Sequence, residues 1–393
     1  MFSRRQLLIT AARSLPLSIV PPWSSLVAGA GWTPNAVRAR YWTTAALAGA
    51  ECRLCHDQPL RPDAVHQHVR TTVRCLLCAQ RCTIVAGQAG KCRARTNVRG
   101  ELRTLVYGYP LAVHIDPIEK KPFYHFLPGS SALSLGTAGC PLRCKFCQNW
   151  ELSQSTPGDV ESQYVAPEEL VRTAETRRTP VIAFTYNEPT VFIEYVLDVA
   201  GQARARGIHA VMVSCGFANE VPLADVCGAL SAIKIDLKGF SEEFYRNVCG
   251  AELQPVLRSI KQIAKSGRHL ELVNLVVPTL NDSDKALMGL AAWVAGELGP
   301  DVPVHFTRFH PDYQLRNLPP TPVATLERAR QMARDKGIHY AYVGNVPGHP
   351  GNHTYCPKCQ EAVIRRDNFF VTETHIRDGR CEYCKQAIAG VWA

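Results

Sequence analysis

The chain has 393 residues, of which 46% are hydrophobic and 20% charged. That is enough apolar material for a full core, so a disordered chain is not the expectation, and the length allows one α/β domain of roughly 200–250 residues plus smaller modules. The net charge of +10 sits at one end: residues 1–110 hold 15 Lys and Arg against 4 Asp and Glu, and the remainder hold 29 against 30. A basic segment attracts anionic partners. No nucleic-acid-binding signature accompanies this one, so its arginines are read as solvated or as offsetting thiolate charge.

Four stretches follow along the chain. Residues 1–50 read as a leader and linker. Ser3-Arg4-Arg5-Gln6-Leu7-Leu8 resembles a twin-arginine export signal, and Ala28-Gly29-Ala30 is a candidate cleavage site. Arg13 interrupts the apolar run and Pro16, Pro21 and Pro22 break a helix, so no transmembrane span is expected. Residues 51–110 form a small cysteine-rich basic module, with Cys75-x2-Cys78-x3-Cys82-x9-Cys92 as one thiolate set and Cys52-x2-Cys55 beside it. Four thiolates suit zinc and iron–sulfur alike.

Residues 111–345 alternate strand and helix patterns. Strand-like runs are Ala132–Leu135, Val181–Thr185, His209–Ser214, Ala232–Leu237, His269–Val277 and Val302–Phe309, with His339–Val343 as an extra strand. Helix-like stretches such as Thr190–Arg206 and Ser283–Leu298 lie between them. Parallel strands joined by right-handed crossovers are expected. The fold class is therefore α/β, an open partial (β/α)6 barrel of the TIM type, flanked at both ends by cysteine-rich metal modules. Residues 346–393 form the second such module, where Cys356-x2-Cys359 and Cys381-x2-Cys384 make a four-thiolate ribbon for zinc or a single iron.

In a β/α barrel, function gathers on the loops after the strand C-termini. The first such loop carries Cys140-x3-Cys144-x2-Cys147. Three thiolates at this spacing suit an iron–sulfur cluster or zinc, and a structural zinc would want a fourth ligand nearby, which the local sequence does not offer. The alternative is a cubane whose fourth iron is open to a small molecule. Gly136 and Gly139 permit the turn, and Phe146 would shield the cluster. The tight cysteine spacing suggests metal thiolates more than disulfides, hence assembly in a reducing compartment.

This loop resembles that of the radical S-adenosylmethionine enzymes. More closely, residues 70–393 resemble the radical enzymes of the AmmeMemoRadiSam system, relatives of the pyruvate formate-lyase activating enzymes. The stretches that carry the likeness are CLLCAQRC, GYPLAVHIDPIEKKPFYHFLPG, GTAGCPLRCKFCQNWELSQ, TYNEPTVF, KIDLKGF and HFTRFHPDY. The resemblance implies a [4Fe–4S] cluster on Cys140, Cys144 and Cys147, with S-adenosylmethionine chelating the open iron. One electron then cleaves the sulfonium to methionine and a 5′-deoxyadenosyl radical, which takes hydrogen from a substrate. It further implies that Glu188 accepts from the methionine ammonium, and that Lys238, oriented by Asp236, pairs with the methionine carboxylate. Asn274 and His310 are candidates for ribose or carboxylate contacts. His114, Asp116, Glu119 and His125 are divided between packing and substrate contact, and Cys215, Cys227 and Cys249 read as buried thiols. The expected partners are a flavodoxin- or ferredoxin-type reductant, a protein substrate and the other components of the AmmeMemoRadiSam system, with a small molecule or nucleoside as the alternative substrate. A non-catalytic zinc-dependent binding protein is the alternative of another class. Because S-adenosylmethionine and low-potential electrons are cytosolic resources, a cytoplasmic location is favoured over twin-arginine export.

Overall fold

A computed structural model describes residues 36–45 and 72–392. The twin-arginine-like stretch, Cys52 and Cys55 lie outside the described residues. Residues 36–45, expected as linker, supply strands. β1 (Val37–Arg38), β2 (Trp42–Thr44), β3 (Val73–Cys75), β4 (Thr83–Ile84), β5 (Arg95–Val98) and β6 (Glu101–Thr104) form two small antiparallel sheets, ordered β1-β6-β5 and β2-β3-β4. Strands this short are not stable alone, and sequence pattern does not reveal them; partners far along the chain make them. The module is pinned to the large domain by an ion pair. The buried Arg95 guanidinium donates to both oxygens of buried Glu194 at 2.7 and 2.6 Å, and Glu194 also accepts from the Arg40 backbone at 2.7 Å.

One eight-stranded sheet carries the large domain. It runs in sequence order through β7 (Ala112–Pro117), β8 (Ser131–Gly136), β9 (Val181–Phe184), β10 (His209–Ser214), β11 (Ala232–Asp236), β12 (His269–Val276), β13 (Val304–Arg308) and β14 (Ala341–Gly344). β8 to β14 pair in parallel, as expected, and each lies within two residues of its expected run. β7 was not anticipated; it pairs antiparallel to β8 and forms one edge, with β14 the other.

Six helices fill the crossovers: α1 (Pro167–Thr176), α2 (Ile193–Ala205), α3 (Glu220–Ala229), α4 (Leu253–Lys265), α5 (Asp284–Leu298) and α6 (Val323–Asp335). Their ends follow local chemistry. α1 opens with Pro167 and two acidic residues, which suit the positive helix N-terminus, and buries Leu170, Val171 and Ala174. α5 is capped by Ser283, whose hydroxyl accepts from the Ala286 N–H at 3.3 Å.

Alternation along the strands separates an inner from an outer face. At the floor, small inward residues (Ala132, Val181, Ala183, Val211, Ala232) leave room for Ile118, Phe123 and Phe126 from the β7–β8 connection. Lys234 and Asp236 follow Ala232 at two-residue steps on the same face, so the interior turns polar toward the strand C-termini.

The C-terminal module holds β15 (Thr354–Tyr355), β16 (Ala362–Asp367), β17 (Phe370–Thr374) and the hairpin β18 (Ile376–Arg377) with β19 (Arg380–Cys381). Its tail returns to the barrel floor, where Val391 donates to the His125 carbonyl at 2.7 Å and accepts from the Leu127 N–H at 2.8 Å. Buried Arg366 crosses the same junction to the Tyr124 carbonyl at 2.8 Å. Among the described residues, no helix is long and apolar enough to cross a membrane.

Candidate active site and metal centres

The three-cysteine loop leaves β8 through two glycines that nothing larger could replace. A Cβ on Gly136 would stand 2.6 Å from the Thr185 carbonyl oxygen, and one on Gly139, at φ +92°, would stand 2.3 Å from the Cys92 carbonyl oxygen. The loop is then held from three sides. Asn187 accepts from Thr137 N at 3.1 Å and donates to the Gly139 carbonyl at 2.8 Å. Arg143 N and Lys145 N donate to the carbonyls of Cys249 and Val248 at 2.8 and 2.9 Å. Gln314 N, on the segment after β13, donates to the Lys145 carbonyl at 2.9 Å. Phe146 is buried and stacks on Phe244 with centroids 6.1 Å apart. Cys140, Cys144 and Cys147 all lie on this loop, which carries Phe146 between the last two. The donor set fits a cluster that uses three protein thiolates.

Glu188 lies on the loop after β9 and is 2% exposed. Its Oε1 accepts from Thr190 N (3.1 Å), Thr190 Oγ1 (2.5 Å) and Ser214 Oγ (2.8 Å), and its Oε2 from Cys215 N (2.6 Å). A carboxylate has about four acceptor sites, so the chain's own donors use this one fully. It ties the β9 loop to the β10 loop.

Asp236 stands between two lysines: Lys234, in direct contact, and Lys238 at 3.3 Å. Burial would raise the Asp236 pKa, but the two ammonium groups outweigh it and hold the carboxyl below its usual range. Burial alone would lower Lys238. The Asp236 carboxylate and the Cys144, Cys215 and Cys249 thiols outweigh it and keep Lys238 well above the ordinary lysine range. Lys238 is thus a fixed cation beside the three-cysteine loop, 5.8 Å above the Phe146 ring.

Asn274 and His310 are placed less directly. Asn274 is buried and donates to the Leu237 carbonyl at 2.8 Å, so its amide nitrogen positions the β11 loop. His310 is exposed; the segment after β13 reaches the site through Gln314 and through Tyr313, whose ring stacks on Trp150 at 5.3 Å.

Several site residues were missed or undervalued from sequence. Cys249, expected only as a buried thiol, is a neighbour of Cys144 and lowers the pKa of that thiol. The Cys215 backbone N–H donates to Glu188 at 2.6 Å, and burial, then the Glu188 charge, push the Cys215 thiol well up. Asp116 joins Lys120 (2.7 Å), Lys121 (2.6 Å) and the Tyr186 hydroxyl (3.0 Å), which places a charged cluster on the β7 side of the interior. Glu119 instead faces Arg366 at 3.7 Å across the C-terminal junction. Buried Glu271 accepts from Tyr124 N, His125 N, His269 and His305, the last at 2.7 Å. Lys120 and Lys121 lie close to Asp116 in sequence, and His269 close to Glu271; the other partners are distant, and no local signal could have joined them.

The C-terminal four cysteines are, among the described residues, the group whose ligand atoms all lie within 4.8 Å of one another. The Cys356–Cys384 and Cys359–Cys381 sulfur pairs stand 3.5 and 3.7 Å apart. A tetrahedral ion with 2.3 Å metal–sulfur bonds sets this edge at about 3.8 Å, so the set fits one ion.

Residues 134–291 match the model of the radical SAM superfamily (SAM, S-adenosylmethionine). Over 318 residues the chain is 42% identical to Uncharacterized protein MJ0808 of Methanocaldococcus jannaschii, covering 80% of this chain and 95% of the relative. The chain belongs to the radical SAM superfamily. It is also 22% identical over 218 residues to pyruvate formate-lyase 1-activating enzyme of Escherichia coli K12, covering 51% of this chain and 87% of that one. A solved domain of a pyruvate-formate lyase-activating enzyme from Bacteroides vulgatus aligns at TM-score 0.37 and 18% identity, covering 42% of this chain and 98% of that one. Radical SAM membership implies a [4Fe–4S] cluster and S-adenosylmethionine as cofactors, and an enzyme that works by reductive cleavage of S-adenosylmethionine.

Proposed function

We propose that Cys140, Cys144 and Cys147 hold the radical SAM cluster, and that the radical made there abstracts hydrogen from a protein substrate. The observation that carries the reading is one loop presenting three thiols at the C-terminal end of β8, with the fixed Lys238 ammonium beside it. When bound, the cluster supplies the electron that splits the sulfonium of S-adenosylmethionine. Lys238 binds the methionine carboxylate, and Asp236 orients Lys238. Phe146 and Phe244 keep water off the loop. Glu188 sets the distance between the β9 and β10 loops. The C-terminal quartet holds zinc.

A protein substrate is supported by the relatives named as activating enzymes for pyruvate formate-lyase and isethionate sulfite-lyase. A second reading, a small anionic substrate, has its own support: Asp116 and Asp236 are outnumbered by Lys120, Lys121, Lys234 and Lys238. The AmmeMemoRadiSam subtype, its partner proteins, a flavodoxin- or ferredoxin-type donor and a cytoplasmic location belong to the same proposal.

The test is anaerobic reconstitution with iron and sulfide, then dithionite and S-adenosylmethionine, with 5′-deoxyadenosine as the readout. Product that disappears in Cys144→Ala supports the reading. Product no greater than in that variant overturns it in favour of a non-catalytic binding protein.

A further inference from the structure

We propose that Cys75, Cys78, Cys82 and Cys92 hold a second iron–sulfur cluster, built against the wall of the three-cysteine loop. Spacing alone leaves this quartet open between one zinc and a cluster. The structure separates them by comparison with the C-terminal quartet of the same chain. There the thiols close on one point, with all ligand atoms within 4.8 Å, as a single ion requires. The N-terminal thiols do not close. They stand around a cavity that all four line. Thiolates bound to separate irons stand farther apart than thiolates sharing one ion, because the irons and sulfides occupy the space between them.

Two further observations fit. One of the four sulfurs, Cys82, receives a backbone N–H, from Lys91 at 3.5 Å. Hydrogen bonds to sulfur are how a protein stabilises and tunes an iron–sulfur centre. The cavity also shares a wall with the radical SAM loop. Pro141, the neighbour of Cys140, lines it. Gln80, inside the C-x2-C-x3-C turn, donates to the Pro141 carbonyl at 3.0 Å, and the Cys92 carbonyl fills the space over Gly139. An isolated structural zinc has no need of this contact.

The inference does not depend on the substrate or on S-adenosylmethionine cleavage, so its failure and that of the proposed function are separable. The test uses the full chain carrying Cys140→Ala, Cys144→Ala and Cys147→Ala, reconstituted anaerobically. Iron and acid-labile sulfide in equal amounts, about two or four of each per chain, are expected, with visible absorption that dithionite bleaches. Sulfide-free protein with two zinc ions per chain would overturn the proposal. Should the triple variant not fold, the wild-type chain decides. Sulfide beyond the roughly four of a single cubane supports a second cluster, and a ceiling at that value excludes it.

Discussion

Glu188→Gln tests whether Glu188 holds the protein together or holds the cofactor. The carboxylate accepts four hydrogen bonds while 2% exposed. An amide supplies one oxygen and one NH2 group. If the new NH2 takes the Oε2 position it meets the Cys215 N–H, now at 2.6 Å from that oxygen. If it takes the Oε1 position, the Thr190 and Ser214 hydroxyls can turn to accept, but the Thr190 N–H cannot. In either orientation one buried backbone N–H loses its acceptor. A hydrogen bond to a charged group contributes about 1.5–3 kcal/mol, and stranding a buried donor costs about 1–3 kcal/mol more. A loss of about 3–5 kcal/mol is expected, read from anaerobic urea unfolding of the metal-loaded protein, with m unchanged. S-adenosylmethionine affinity measured at low urea should change little. A variant with near-normal stability and affinity weakened by a factor of ten or more would refute the reasoning and return Glu188 to the ammonium-binding role suggested by the family likeness.

Three other outcomes follow from the geometry. Buried His125 donates from Nδ1 to the Ala389 carbonyl at 2.6 Å, and its Nε2, 2.5 Å from the Tyr342 hydroxyl, accepts; burial lowers its pKa from 6.5 to about 3. Its stabilising effect is therefore complete above pH 6.5 and is lost as pH falls toward 3, so wild type should lose about 2 kcal/mol between pH 7 and 5 that His125→Gln does not; equal pH slopes for the two would refute this. X-ray absorption on the zinc edge should find four sulfurs at about 2.3 Å, and Cys381→Ser should release that ion and lower the melting temperature of the whole chain, because the tail bonds the barrel floor; an unchanged melting temperature would show the ribbon to be independent. Lys238→Gln should weaken S-adenosylmethionine binding by a factor of about ten or more while the fold holds, since Asp236 keeps Lys234; calorimetry showing unchanged affinity would remove Lys238 from the site.

The sequence by itself determined what is local. The strand runs from Ala132 to Val343 were legible because apolar stretches bounded by turn residues have a fixed period. The three-cysteine loop was legible because its spacing puts three thiols within eight residues whatever the rest of the fold does, and the C-terminal knuckles because each is a four-residue turn. The tertiary structure decided everything that depends on a partner far along the chain. β1 and β2 exist only against β6 and β3, and β7 only against β8. Cys249 became a neighbour of Cys144, and the Glu188 oxygens were spent on Thr190, Ser214 and Cys215. His125, Glu271 and Arg366 met at one junction although 146 and 242 residues separate the bonded positions. Spacing constrains a side chain's distance from its near neighbours. Which buried donor meets which acceptor is fixed only when the sheet closes and every buried polar group must find a partner.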